Sequence, residues 1–102
     1  IEMQAILALK NLTDLIVFII DPSETCGYSM IEQTHLLDEI RYSFNLPILV
    51  ISNKADLGEK FEGSNLTVSA TTGEGIDDAR RLILDELDRL KIKEDNKTYF
   101  KP

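Results

Sequence analysis

The sequence lacks several features on which whole classes of protein depend. Its longest apolar run begins at Leu15 and ends at Ile20, whereas a helix needs about 20 apolar residues to cross a bilayer, so no membrane partner is predicted. A single cysteine permits no internal disulfide, which is compatible with a reducing compartment, and a cytoplasmic location is predicted. Basic residues are few, since 11 lysines and arginines face 18 acids, and the net charge of −7 argues against direct nucleic-acid binding.

Length and composition indicate one compact domain or part of one, because 102 residues that are 43% hydrophobic suffice for a single core. The first residue, Ile1, lies within a helical pattern that no capping residue introduces, so we expect a fragment of a longer domain. Residues 91–102, KIKEDNKTYFKP, have mixed charge and no clear periodicity. They are predicted to be a frayed tail or the start of a linker.

The hydrophobic pattern alternates between helices and strands and predicts an α/β fold. Helices are expected over residues 1–12, from a Ser29–Glu32 capping box to about residue 44, and over residues 75–90. Strands are expected over residues 15–20, 48–52 and 66–70. The first two are continuous apolar runs, which are typical of parallel strands buried on both faces.

The stretch PILVISNKAD is the most informative part of the chain. Its apolar run ends in Asn53, Lys54 and Asp56, and in open parallel sheets ligands bind beyond the carboxyl ends of strands. The Asp56 carboxylate can accept hydrogen bonds from two adjacent donors, a pattern offered by the edge of guanine but not of adenine. Asn53 can complement the acceptor side of a purine, and the apolar stem of Lys54 can cover its ring face.

NKAD resembles the guanine-specificity motif NKxD of P-loop GTPases, and SATTGEG after the third strand resembles a second motif of the same pocket. The resemblance implies that the Ser69 hydroxyl holds Asp56 and that the Ala70 N–H meets the guanine oxygen, with Thr71 beside them. A helix with EMQAILAL followed by a strand and the loop DPSETCGY resembles the nucleolar GTP-binding protein 1 family, relatives of the Obg GTPases. The implied fold is a three-layer P-loop GTPase-type parallel sheet, here partial, with three parallel strands and three helices.

The family resemblance implies that residues 1–90 are the C-terminal half of a GTPase domain. The chain contains no GxxxxGK[ST] phosphate loop and no DxxG, so no catalytic residue and no metal ligand is assigned, and this chain alone is expected to be inactive. By resemblance, the intact protein binds GTP or GDP with Mg²⁺ held by residues outside this chain. It would hydrolyse GTP as a switch in assembling the large ribosomal subunit, with the subunit precursor as partner and a nucleolar location in eukaryotes.

Alternatives remain open at this point. A nucleotide-free α/β regulatory or interaction module, receiver-like or a decayed GTPase, could share the strand and helix pattern. The loop DPSETCGY could also hold a metal through Asp21, Glu24 and Cys26, with His35, although the spacing matches no standard zinc or calcium pattern.

One edge of the predicted sheet has no partner in this chain. In the GTPase topology, the strand from Leu15 to Ile20 pairs on one side with the strand that enters the phosphate loop. A long apolar edge is a template for pairing with another chain. We therefore expect that the isolated chain associates through this edge or through the helix over residues 1–12, or that it is only marginally stable.

Overall fold

The computed structural model describes residues 3–57 and 61–99, and within these ranges it contains three helices and three strands. The elements in chain order are α1 (Met3–Leu12), β1 (Ile16–Ile20), α2 (Met30–Ser43), β2 (Ile48–Ser52), a short 3-10 helix (Ala55–Leu57), β3 (Leu66–Thr67) and α3 (Ile76–Tyr99). This architecture confirms the predicted fold class. None of the helices in the described ranges combines the length and apolar character needed to cross a membrane.

The strands form one parallel sheet in the order β1-β2-β3. Ile16 pairs with Ile48 and Ile20 with Ser52, so β1 and β2 end at the same level. β3 is shorter than the predicted 66–70, because the backbone of Ser69 leaves the ladder and bonds within the following turn, accepting from the Gly73 N–H at 2.8 Å. The parallel register brings the carboxyl ends of all three strands to one edge.

Two helices cover opposite faces of the sheet and form two apolar clusters. One cluster joins α2 to the first two strands through Ile20, Leu37 and Val50. The other joins α3 to β2 and the segment after β3 through Ile51, Val68 and Ala79. Consecutive residues of β2 therefore serve different cores, as the two-residue repeat of a strand requires.

β1 differs from the prediction that both of its faces are buried. Ile20 is fully buried against α2, but Ile19 is 54% exposed. Ile19 lies on the same face as Val17, which packs against the α3 cluster, but that cluster does not bury Ile19. The apolar run indicated a strand correctly, but it could not indicate that this face of the strand would be only partly covered by the described residues.

α2 begins at the predicted capping box. The Ser29 hydroxyl oxygen accepts from the Glu32 N–H at 3.1 Å, and the Ser29 N–H donates to Glu32 Oε1 at 3.1 Å. The predicted stripe is buried at Leu37, Ile40 and Phe44, so the helix packs on the sheet as expected.

α3 extends farther than the predicted end near residue 90 and reaches Tyr99. No glycine or proline interrupts the sequence between Ile76 and Tyr99, so local preference continues the helix after its apolar stripe ends. The first part of 91–102 is thus helical, and its assignment as a tail or linker stays a prediction. The expected helical turn near residues 58–61 falls largely on 58–60, which lie outside the described residues.

Two glycines shape the turn between β3 and α3, and only one of them is tightly enclosed. Gly73 and Gly75 have φ angles of +85° and +75°, a region that side chains other than glycine's rarely occupy. A Cβ atom on Gly75 would lie 2.7 Å from the backbone oxygen of Thr67, whereas nothing lies within 4 Å of one on Gly73. The turn can therefore pack closely against β3 because residue 75 is a glycine and has no side chain.

This geometry predicts different costs for two matched substitutions. Gly73→Ala should lower the free energy of unfolding by about 1 kcal/mol, the cost of placing alanine in the left-handed region. Gly75→Ala should cost about 1–3 kcal/mol more, because the methyl group also forces a backbone shift. Urea unfolding followed by circular dichroism measures both, and equal costs would contradict the close packing of residue 75 against β3.

Candidate functional site

The polar residues predicted to form a site gather at the carboxyl edge of the sheet. Asn53 follows β2 directly, and its N–H donates to the Ile20 carbonyl at the end of β1, at 2.8 Å. The Val68 N–H donates to the Ser52 carbonyl at 2.7 Å, which places Ser69 beside the end of β2. The backbone hydrogen bonds between the strands therefore bring the loops after β1, β2 and β3 together at the carboxyl edge of the sheet.

Asp56 and Ser69, which belong to the two separate motifs, are directly hydrogen-bonded. The Ser69 hydroxyl donates to Asp56 Oδ1 at 2.7 Å, and its oxygen accepts from the Thr72 N–H at 3.1 Å. Ser69 is fully buried, whereas Asp56 is exposed in the 3-10 helix. Because a carboxylate has about four lone-pair sites, Asp56 keeps capacity to accept further hydrogen bonds from a ligand.

Asn53 and Ala70 make a second link between the motifs. The exposed Ala70 N–H, which the resemblance assigned to the guanine oxygen, donates to Asn53 Oδ1 at 3.1 Å. A ligand carbonyl in this position would compete with Asn53 for the same donor. Thr71 follows in the exposed turn, so the six predicted site residues lie on two adjoining loops.

Lys54 has an uncommon backbone conformation, and its ammonium group is bonded to the loop that follows β1. Its backbone has a φ angle of +64°, an uncommon conformation for a residue other than glycine. Its ammonium Nζ lies 2.8 Å from Asp21 Oδ2 and also contacts the Thr25 hydroxyl oxygen. The side chain is 28% exposed and that of Asp21 only 8%, so this ion pair is partly shielded from water.

Asp21 is the member of the cluster that sequence reasoning missed. The sequence contained a usable signal, since Asp21 follows β1 at the same sheet edge on which Lys54 follows β2. Its carboxylate accepts from the Ser23 hydroxyl at 2.5 Å, the Ser23 N–H at 3.0 Å and the Cys26 N–H at 2.8 Å. Burial alone raises the pKa of this carboxyl, but hydrogen bonds from Lys54, Ser23 and Cys26 outweigh burial and hold the pKa well below its ordinary value.

The alternative metal site in the loop is not assembled in the described part of the chain. No three histidine, cysteine, aspartate or glutamate side chains in residues 3–57 and 61–99 converge on a point where they could hold an ion. Glu24 instead accepts from the Met30 N–H at 2.6 Å at the start of α2. The loop is therefore built from internal hydrogen bonds.

Comparison with known proteins gives a consistent set of relatives. A family model described as nucleolar GTP-binding protein 1 matches residues 1–56, a stretch that includes Asn53, Lys54 and Asp56. The uncharacterized protein MJ1408 of Methanocaldococcus jannaschii is 60% identical over 57 residues, and nucleolar GTP-binding protein 1 of Caenorhabditis elegans is 47% identical over 58 residues. Each alignment covers 56% of this chain.

The fold is similar to that of a solved structure with a related name. A crystal structure of a protein named nucleolar GTP-binding protein 1 from Plasmodium falciparum has 25% sequence identity and a TM-score of 0.55, covering 86% of this chain and 57% of that one. The alignments to the curated relatives span only 16% of the Methanocaldococcus protein and 8% of the Caenorhabditis protein. The chain therefore spans only a small part of the length of these two curated relatives.

The Asp21 contacts predict a specific dependence of stability on acid. Because the pKa of Asp21 is lower in the folded chain, its charged form stabilises the fold at neutral pH, and this contribution falls as the pH drops below about 4, the ordinary aspartate value. Asp21→Asn should lower the free energy of unfolding at pH 7, and the difference from the parent chain should shrink toward pH 3.

Urea unfolding at pH 7, 5, 4 and 3 measures this difference. Asp38→Asn is the matched control, because the Asp38 side chain is 75% exposed on α2. Parallel pH profiles for the Asp21→Asn variant and the parent would contradict the assigned role of the Asp21 carboxylate.

Proposed function

The chain belongs to the nucleolar GTP-binding protein 1 family, and from this premise we propose that it is the guanine-recognition half of a GTPase domain. Three findings support the proposal. The family match includes the whole NKAD motif, that motif follows β2 at the carboxyl edge of a parallel sheet, and relatives are named for GTP binding. In this proposal GTP or GDP is the ligand.

The observation that carries the proposal is the hydrogen bond between Ser69 and Asp56. It fixes the carboxylate that must meet two adjacent donors on the base, the ring N–H and the exocyclic amine of guanine. Adenine presents an acceptor where Asp56 needs a donor, so with adenine in the pocket the carboxylate would face another acceptor and lack its hydrogen bond. Such a mismatch discriminates more strongly than a loss of apolar contact.

Asn53, Lys54 and Ala70 complete the proposed pocket around the base. The Ala70 N–H donates to Asn53 Oδ1 at 3.1 Å, and the donors proposed for the acceptor side of guanine are the Asn53 amide NH₂ and the Ala70 N–H once it is released from Asn53. The Lys54 stem covers one ring face, and Thr71 lies at the outer turn. The arrangement supplies recognition of the base, and it assigns neither phosphate contacts nor catalysis to this chain.

The activity of the intact protein is part of the same proposal. We expect the intact protein to hydrolyse GTP with Mg²⁺ and a phosphate loop contributed by residues outside this chain, and to act as a switch on a precursor of the large ribosomal subunit. Several relatives are named nucleolar proteins, which supports a nucleolar location for eukaryotic members. A cytoplasmic location in other cells stays a prediction.

We also propose that the isolated chain self-associates along β1. The Ile16 N–H and the Ile20 carbonyl bond toward β2, so the strand alternation turns the backbone groups of Val17 and Ile19 to the opposite edge. Beside that edge a cavity of about 210 Å³ is lined by apolar side chains including Phe18, Ile19 and Leu36. Within residues 3–57 and 61–99 no backbone partner meets Val17 or Ile19 on this edge, and an open edge beside an apolar groove favours addition of a strand from a second copy.

Base recognition is tested by exchanging an acceptor for a donor. In the full-length protein, Asp56→Asn should weaken binding of GDP by about 100-fold, because two hydrogen bonds to a charged group are lost. Binding of xanthosine diphosphate should strengthen, since xanthine offers an acceptor in place of the amine. Isothermal titration with both nucleotides measures the exchange.

The control for this experiment is Asp78→Asn, which removes an exposed carboxylate from the first turn of α3 and should leave both affinities unchanged. Unaltered guanine selectivity in the Asp56→Asn variant would refute the assignment. Absence of any guanine preference in the unsubstituted protein would instead favour a nucleotide-free regulatory module.

Self-association is tested by placing a charge on the exposed edge. Ile19→Lys should convert associated chains to monomers, because lysine on an edge strand disfavours further pairing. Ile31→Lys makes the same charge change on α2, where Ile31 is 82% exposed, and should leave association unchanged. Sedimentation velocity over a range of concentrations distinguishes the outcomes, and a parent chain that stays monomeric throughout would sink the proposal.

A further inference from the structure

The ion pair between Asp21 and Lys54 joins the loop after β1 to the predicted base pocket. We propose that Asp21 is a positioning residue for guanine recognition, which acts by holding the Lys54 side chain in the orientation that covers the base. This inference rests on the proposed function. It goes beyond it by giving the DPSETCGY loop, which has no other assigned role, a part in the affinity for the base.

Asp21 is well suited to position another group, because both its backbone and its side chain are fixed. The Gln33 side chain accepts from the Asp21 N–H at 2.7 Å and donates to the Asp21 carbonyl at 2.9 Å. Gln33 is itself buried in α2 and also donates to the Tyr28 carbonyl at 3.0 Å. The two ends of the loop are thus attached to one buried side chain.

The carboxylate is oriented as firmly as the backbone. Oδ1 accepts two hydrogen bonds from Ser23, and Oδ2 accepts from the Cys26 N–H and from the Thr25 hydroxyl at 3.2 Å. Oδ2 is also the atom that meets the Lys54 ammonium at 2.8 Å. Neutral donors within the loop therefore aim the charged oxygen at a residue 33 positions away in the sequence.

Lys54 needs such an anchor because its stem is long and rotatable. Its backbone is set by the +64° φ angle, and its ammonium is set by Asp21 and Thr25. With both ends fixed, the four-carbon stem between them has little freedom left to lose when a ring packs on it. Preorganisation of this kind raises affinity without adding a contact to the ligand.

A double-mutant cycle in the full-length protein tests whether Asp21 acts through Lys54. Lys54→Met keeps an apolar stem and removes the ammonium. Asp21→Asn should weaken GDP binding by about tenfold in the unsubstituted background, the effect expected for losing one hydrogen bond between charged groups. In the Lys54→Met background the same substitution should change affinity by less than about twofold, since the anchored group is absent.

The ratio of GDP affinity to inosine diphosphate affinity distinguishes an effect on the ring face from an effect on the Asp56 carboxylate, because inosine lacks the exocyclic amine that Asp56 is proposed to bind. The Lys54 stem meets the ring face, so Asp21→Asn should weaken GDP and inosine diphosphate equally and keep their ratio. Thr25→Val provides a second variant at an exposed position, in case Asp21→Asn unfolds the protein. It should weaken GDP binding by about threefold, less than loss of the charged partner, and again only when Lys54 is present.

Glu24→Gln is the matched control, since Glu24 lies in the same loop but bonds to Met30 rather than to Lys54. It should leave GDP affinity unchanged. Equal losses for Asp21→Asn in both backgrounds, or no loss for either Asp21→Asn or Thr25→Val, would overturn the positioning role. An unsubstituted protein that binds ADP as well as GDP would overturn the proposed function and this inference together. A protein that prefers guanine and binds GDP equally tightly with and without the Asp21 carboxylate would overturn this inference alone.

Discussion

The parallel pairing of β2 with a strand on each side is the constraint on which the rest of the structure depends. It buries every residue from Leu49 to Ser52 and sets the level at which the neighbouring strands end. The last hydrogen bonds of the two ladders run from the Asn53 N–H to the Ile20 carbonyl and from the Val68 N–H to the Ser52 carbonyl. A shift of register by one residue would turn the core side chains outward and would also separate the polar groups that follow.

The polar groups at this edge satisfy one another across chain segments. Asp56 is bonded to Ser69, Asn53 to Ala70, and Lys54 to Asp21. Each of these three pairs joins the segment after β2 to the segment after β1 or after β3. The side-chain contacts therefore follow the same neighbour order as the strands of the sheet. Because the carboxylate of Asp21 is buried, its ammonium partner and the donors of its own loop are what make that burial tolerable.

The sequence was most informative where one local rule governs the outcome. The apolar run of β2, the Ser29 capping box and the order of two motifs after successive strands each depend on adjacent residues, and these expectations match the elements observed. Properties that depend on distant segments were not accessible. The exposure of Ile19 depends on where α3 packs, and the partner of Lys54 depends on the register between β1 and β2. The helix end at Tyr99 was missed because the loss of apolar periodicity was interpreted as the end of the helix.

Two of the polar groups proposed to bind the base, the Ala70 N–H and the Asp56 carboxylate, are hydrogen-bonded to other residues of the pocket. The Ala70 N–H is already paired with Asn53, so in the proposed function an entering base would exchange this hydrogen bond, and only Asp56, which keeps lone pairs beside its bond to Ser69, would add new ones. Exchange contributes little net affinity, and in the proposed function the phosphates must supply most of it through contacts outside this chain. Selectivity is different, because a base of the wrong pattern would break these pairs and leave their groups without partners. The geometry is therefore better suited to rejecting the wrong base than to binding the right one tightly.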